Sequence, residues 1–75
     1  MLFNLIIMDF KQLGKTIKAK RESANISQEK LAAIAAVSLK TVYRLENGLK
    51  DPKLSSVYTI AKALNLKLAD LFKEI

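Results

Sequence analysis

Residues 27–48 read SQEKLAAIAAVSLKTVYRLENG and set two short amphipathic patterns on either side of the link Ala36, Val37 and Ser38. Ser27 is a hydroxyl residue of the kind that caps a helix N-terminus by accepting a backbone N–H bond, and Ile26 with Leu31 stand at the spacing of a hydrophobic staple across it. The helix so opened is predicted over residues 28–35. Ser38 opens the next in the same way, with Val37 and Val42 as its staple; Asn47 and Gly48 stop it, Gly48 taking the left-handed conformation that closes helices. Two helices joined by so short a link cannot lie side by side. They cross steeply and leave the second with one face uncovered. With Val42 and Leu45 turned inward, Leu39, Lys40, Tyr43 and Arg44 fall on its outer side or flank.

Outward from this pair, a first helix is predicted over residues 10–23, with Phe10, Leu13 and Ile17 on one stripe and Lys11, Lys15, Lys18 and Lys20 largely outside it. Asn25 supplies a left-handed stop where glycine is lacking. After a turn at Lys50, Asp51 and Pro52, a fourth helix carries Leu54, Val57, Ile60, Ala61 and Leu64 on one face and ends at Asn65. A fifth, over residues 68–74, is apolar at Leu68, Leu71 and Phe72, with Ile75 following. The expected class is all-α. The apolar run at residues 2–7 reads as a short strand that pairs with its copy in a dimer or frays, and Met8 stands as an alternative start.

Composition narrows the chemistry. The 75 residues make one small domain, half of them apolar but with no Trp, so the interior is built of Leu, Ile, Val and Ala. Without Cys there is no disulfide, thiol nucleophile or thiolate metal site, and without His the commonest general base and metal ligand are gone. The glycines, Gly14 and Gly48, form no phosphate-cradling loop, so neither an enzyme nor a cofactor is expected. The opening MLFNLIIM is far shorter than the roughly 18 residues of a membrane span, and no basic residue precedes it as in a secretion signal. A formal charge of +6 favours a polyanionic partner, and ten of the thirteen basic residues lie between Lys11 and Lys53, together with the paired helices.

These residues also carry a family resemblance, from about Leu13 to Phe72. Ser27-Gln28, Leu31-Ala32, Ala35, Val37-Ser38, Thr41-Val42, Arg44, Glu46-Asn47-Gly48, then Pro52, Leu54, the IAKAL of residues 60–64 and Leu71-Phe72 follow a pattern similar to the XRE/Cro-type, phage-repressor-like helix-turn-helix family. The resemblance implies a compact five-helix domain over residues 10–75 behind an N-terminal extension, residues 1–9. It further implies a cytoplasmic regulator that binds double-stranded operator DNA, usually as a homodimer on a pseudo-palindrome. Gln28 would then donate to a phosphate, Leu39, Lys40 and Arg44 would face bases, and Ser38, Thr41, Asn47, Lys50 and Lys53 would lie along the DNA backbone at or near the helix ends. Arg44 and Lys40 can donate to guanine O6 and N7, whereas Leu39 has only apolar contact to offer, as to a thymine methyl. Tyr43 is open between a sugar-phosphate contact and packing on a neighbouring helix. Arg21 and Glu46 match a structural ion pair between the first and third helices.

Where the family commonly has glycine, this chain has Asn25, Ala36 and Asn65, and Ala36 is strained by about 1–2 kcal/mol if the turn keeps its left-handed form. The alternative is a reshaped turn. Lys67, before the last helix, cannot accept the capping bond from a backbone N–H. Leu68, Leu71, Phe72 and Ile75 either close the core of one chain or, where exposed, form a twofold dimer contact; the expectation is a homodimer through this end. Repression is expected over activation, because little surface remains to recruit a polymerase. An antitoxin that also binds a toxin, and a protein-interaction adaptor on the same fold, are the competing readings; a membrane-surface role lacks a long amphipathic helix.

Overall fold

The computed structural model of the protein describes residues 10–49 and 52–73, the last two as backbone. Among these residues the chain forms five helices and no strand: α1 (Phe10–Ser23), α2 (Gln28–Ala35), α3 (Leu39–Glu46), α4 (Leu54–Ala63) and α5 (Leu68–Lys73). The proposed strand at residues 2–7, Lys50 and Ile75 lie outside the described residues, as does the side chain of Phe72.

Short polar signals start the central helices. The Ser27 hydroxyl accepts the Lys30 N–H at 3.0 Å, and the Ser38 hydroxyl accepts the Thr41 N–H at 3.1 Å, each satisfying one of the free amides of a first turn. Lys53, in the cap position of α4, makes no such bond.

The first four helices end alike. Asn25, Ala36, Gly48 and Asn65 all adopt left-handed backbone, with φ of 58°, 57°, 68° and 60°. In each case the following N–H reaches back across the last turn: Ile26 to the Arg21 carbonyl, Val37 to Ala32, Leu49 to Arg44 and Leu66 to Ala61. The residue after each left-handed one is apolar, the hydrophobic partner this closure commonly carries. Ala36, at φ 57° and ψ 43°, keeps the left-handed turn rather than reshaping it, so the strain anticipated for a Cβ at that position is present.

One core results. Leu13 and Ile17 of α1, Leu31, Ala32 and Ala35 of α2, Val42 and Leu45 of α3, Val57, Ile60 and Ala61 of α4 and Leu71 of α5 are all buried. α1 packs chiefly on α3, and α2 on both α3 and α4, so the helix with the open face is held from two sides. Two expectations are corrected here. Leu54, expected on the buried face of α4, is 64% exposed, because it stands at the first position of that helix, at its open end. Leu71, expected at a dimer contact, is wholly removed from water within one chain and has no surface to give a partner. Leu68 is half-buried against the same core.

Both glycines prove to belong to the α1–α3 contact. A Cβ on Gly14 would stand 2.7 Å from the Glu46 carbonyl oxygen and closer still to that of Leu45, while one on Gly48 would stand 2.8 Å from Lys11 Cα. Backbone meets backbone at these points, and no side chain can yield. Gly14→Ala is expected to lower stability by about 1–3 kcal/mol, as overpacking does, and urea denaturation will show it; an unchanged midpoint would mean that α1 can back away from α3. Ala36→Gly is expected to raise stability by about 1 kcal/mol in the same assay, since glycine takes the left-handed turn without strain.

Candidate nucleic-acid interface

α3 is short and strongly two-sided. Val42, Leu45 and Glu46 are buried, and at about 100° per residue Lys40 and Arg44 lie on the opposite side. Both are exposed. Tyr43 and Leu39 occupy one flank, 54% and 44% exposed. Tyr43 is therefore not packed away against a neighbouring helix. Thr41 occupies the other flank, half-buried, with its hydroxyl 2.9 Å from that of Ser38.

A buried carboxylate fixes this helix. The Glu46 side chain is 1% exposed, and such a group is tolerated only when paired and fully hydrogen-bonded. Arg21 of α1 meets it in a two-pronged fashion, Nε donating to Oε2 at 2.6 Å and Nη2 to Oε1 at 3.1 Å. Arg21 Nη1 also donates to the Ile26 carbonyl at 2.8 Å, tying in the link to α2. Gln28, the first residue of α2, adds a third donor, its Nε2 lying 3.0 Å from Oε1. The hydrogen bond to Glu46, more than the desolvation opposing it, holds the Arg21 guanidinium above its usual pKa range. A raised pKa means its stabilising charge is present throughout neutral and acidic pH and lost only in strong alkali.

The ion pair expected between Arg21 and Glu46 is thus formed. Gln28 departs from the simple expectation: with one N–H on Glu46, a single N–H of its amide is left to donate elsewhere. Asn47 likewise spends a donor locally, Nδ2 reaching the Tyr43 carbonyl at 2.7 Å and closing the C-terminal end of α3.

Between the Thr41 flank of α3 and the start of α4 runs an open groove of about 230 Å³. Thr41, Arg44, Leu49, Pro52, Lys53 and Ser56 line it, so two cations and two hydroxyls face one space. Arg44, Thr41 and Lys53 of this lining are sequence candidates and Ser56 is not, its one sequence signal being its position one turn beyond Lys53 at the start of α4. Gly14 is likewise no sequence candidate, although a glycine inside a helical pattern is a sign of close packing. Lys11, Lys15, Lys18 and Lys20 are exposed on α1. Among the described residues no group of acidic side chains is placed to hold a metal ion, and no helix is long and apolar enough to cross a membrane.

Comparison with known proteins agrees with this geometry. A family model described as helix-turn-helix matches residues 17–71. An uncharacterized HTH-type transcriptional regulator of Archaeoglobus fulgidus is 39% identical over 56 residues, which are 75% of this chain and 79% of that protein. Another, of Methanocaldococcus jannaschii, is 38% identical over 56 residues, or 75% of this chain and 85% of that protein. An HTH-type transcriptional regulatory protein of Methanothermobacter thermautotrophicus is 38% identical over 55 residues, 73% of this chain but 18% of that longer protein. The chain therefore spans most of some relatives and less than a fifth of another.

Arg21→Ala, Glu46→Ala and the double variant are expected to show a coupling of about 1–3 kcal/mol in chemical denaturation, because each single change strands the other charge. Additive losses would show that the pair does not tie α1 to α3.

Proposed function

Because the chain belongs to the XRE-type helix-turn-helix family, we propose that it is a sequence-specific DNA-binding transcriptional regulator whose α3 lies in the major groove. The observation that carries the reading is the outward pair Lys40 and Arg44, one turn apart on a helix locked from behind through Glu46. A B-form major groove admits a helix, and residues in its N-terminal part reach base edges, where guanine O6 and N7 accept from arginine or lysine.

The surroundings suit phosphates. The N-terminus of α2, with the remaining N–H of Gln28, and the groove formed by Thr41, Arg44, Lys53 and Ser56 offer the amide, hydroxyl and cationic donors that phosphates take. Ser38 and Asn47 act mainly as the caps of the reading helix, and Lys50 extends the basic loop in sequence. A regulator of this kind works without reaction chemistry, cofactor or metal, and the cytoplasm, where DNA is accessible, is its proposed location.

We further place it as a repressor acting by occupancy, binding a pseudo-palindromic operator as a homodimer. A short core and the family resemblance support the dimer; the contact is not assigned to Leu71. A toxin partner would co-purify with the protein.

Selection from a randomised duplex pool at fixed, near-physiological salt tests the proposal. Wild type is expected to enrich a twofold motif with half-sites about one helical turn apart, and Lys40→Ala with Arg44→Ala to lose it. Lys53→Ala is expected to weaken binding to every sequence alike and to reduce the salt slope by about one. No enriched motif, with weak binding that fades steeply as salt rises, would overturn base reading.

A further inference from the structure

The apolar run LFNLII, residues 2–7, has no role in the proposed function; it holds five large apolar side chains and no charge. In an extended chain Phe3, Leu5 and Ile7 share one side, with Asn4 on the other. Gly48 marks the place where this run joins the fold. A Cβ on that residue would stand 2.8 Å from Lys11 Cα, so the first turn of α1 rests on the end of α3. Leu49 follows Gly48, is 46% exposed, and lines the groove between α3 and α4 with Leu45 and Pro52. Phosphates have no use for these apolar surfaces. A space of about 150 Å³ already holds a benzene ring, so the groove of about 230 Å³ has room for a ring or a pair of aliphatic side chains. An extended chain covers roughly 3.4 Å per residue, which puts Leu5 and Ile7 within reach of Leu49 from Phe10.

We propose that residues 2–7 of the chain dock in this groove as a strap, with Phe3, Leu5 and Ile7 toward Leu49 and Pro52, and thereby mask Arg44 and Lys53 from phosphates. The masking rests on the DNA-binding reading above; the docking does not. Burial of apolar surface drives the strap down, and the aliphatic stems of Arg44 and Lys53 can pack along it while their charged ends stay in water. Tethering raises the effective concentration of the run at the groove, so a weak contact suffices. A chain begun at Met8 lacks Phe3, Leu5 and Ile7 altogether, and its groove stays open.

Two measurements test the strap. The first compares the full chain with one begun at Met8 for binding to a mixed-sequence duplex at low salt, where access to the cations decides affinity. The shorter chain is expected to bind about tenfold more tightly, as when the groove of the full chain is open about a tenth of the time. Phe3→Ser with Leu5→Ser in the full chain is expected to match it, and Leu49→Ala to narrow the difference between the two lengths. The second needs no DNA. The chain has no Cys, so Asn4→Cys carries a nitroxide as its single thiol, and the label is expected to broaden the amide signals of Leu49, Lys53 and Ser56 within the same molecule. Those signals left sharp would overturn the docking. Broadening found only in unlabelled molecules mixed with labelled ones would overturn it too, assigning the groove to the run of a second copy. Broadening with equal affinities of the two lengths would overturn the masking alone. Failure of both lengths to bind any duplex would overturn the DNA-binding reading and leave the docking to stand or fall by the nitroxide.

Discussion

A single carboxylate organises the arrangement. Glu46 ends α3 with its side chain almost completely out of water, and burial of that kind is disastrous unless every lone pair is answered. The answer comes from two other helices, with Arg21 from α1 and Gln28 from α2 converging on the same two oxygens. A hydrophobic contact at this place would tolerate sliding and rotation. Hydrogen bonds to a buried charge are directional, so the pitch of α3 against both supporting helices is set within narrow limits. Apolar packing of Leu13, Ile17, Leu31, Val42 and Ile60 supplies the bulk of the stabilisation, while Glu46 selects one orientation from those the packing would allow.

The backbone contact between α1 and the end of α3 complements that ion pair. Gly14 and Gly48 remove side chains where α1 crosses the last turn of α3, and the two helices approach as closely as main chains can. Left-handed closures then let the chain turn within a few residues, and at three of the four corners, Ile26, Val37 and Leu66, the apolar residue that follows packs on the core. Ala36 is the exception in residue type but not in geometry, an unfavourable residue kept in the turn that matters most for the crossing of α2 and α3.

Much of this was legible in the sequence because it rests on local rules. Ser27 and Ser38 announce helix starts, Asn25, Gly48 and Asn65 announce stops, and the spacing of Val42 and Leu45 separates the inward from the outward side of α3. Lys40 and Arg44 follow from that spacing. What was hidden is nonlocal. Gln28 looks like a free polar residue at a helix start, and nothing near it in the chain reveals an acceptor 18 residues away. Gly14 has no meaning until α3 is laid across it. Leu71 and Leu54 carry the same side chain, and only the end of the helix on which each falls decides that one is enclosed and the other bathed in water. The burial of an apolar side chain near a terminus is a property of what lies opposite, which periodicity does not encode.

The closure of α3 by Gly48 and Asn47, together with its tether at Glu46, also bears on how the molecule would search for a target. The outer helix is held by bonds within the chain alone, its N-terminal cap at Ser38, the Asn47 bond at its C-terminal end and the Glu46 anchor behind it. On the proposed reading, a wrong sequence and the right one meet the same internally braced face, so discrimination falls to the base edges rather than to a conformational step. Such a reader forgoes the amplification that a switching protein gains from rearrangement. In return a reader of that kind samples registers at a rate limited by charge and friction along the duplex rather than by a folding step.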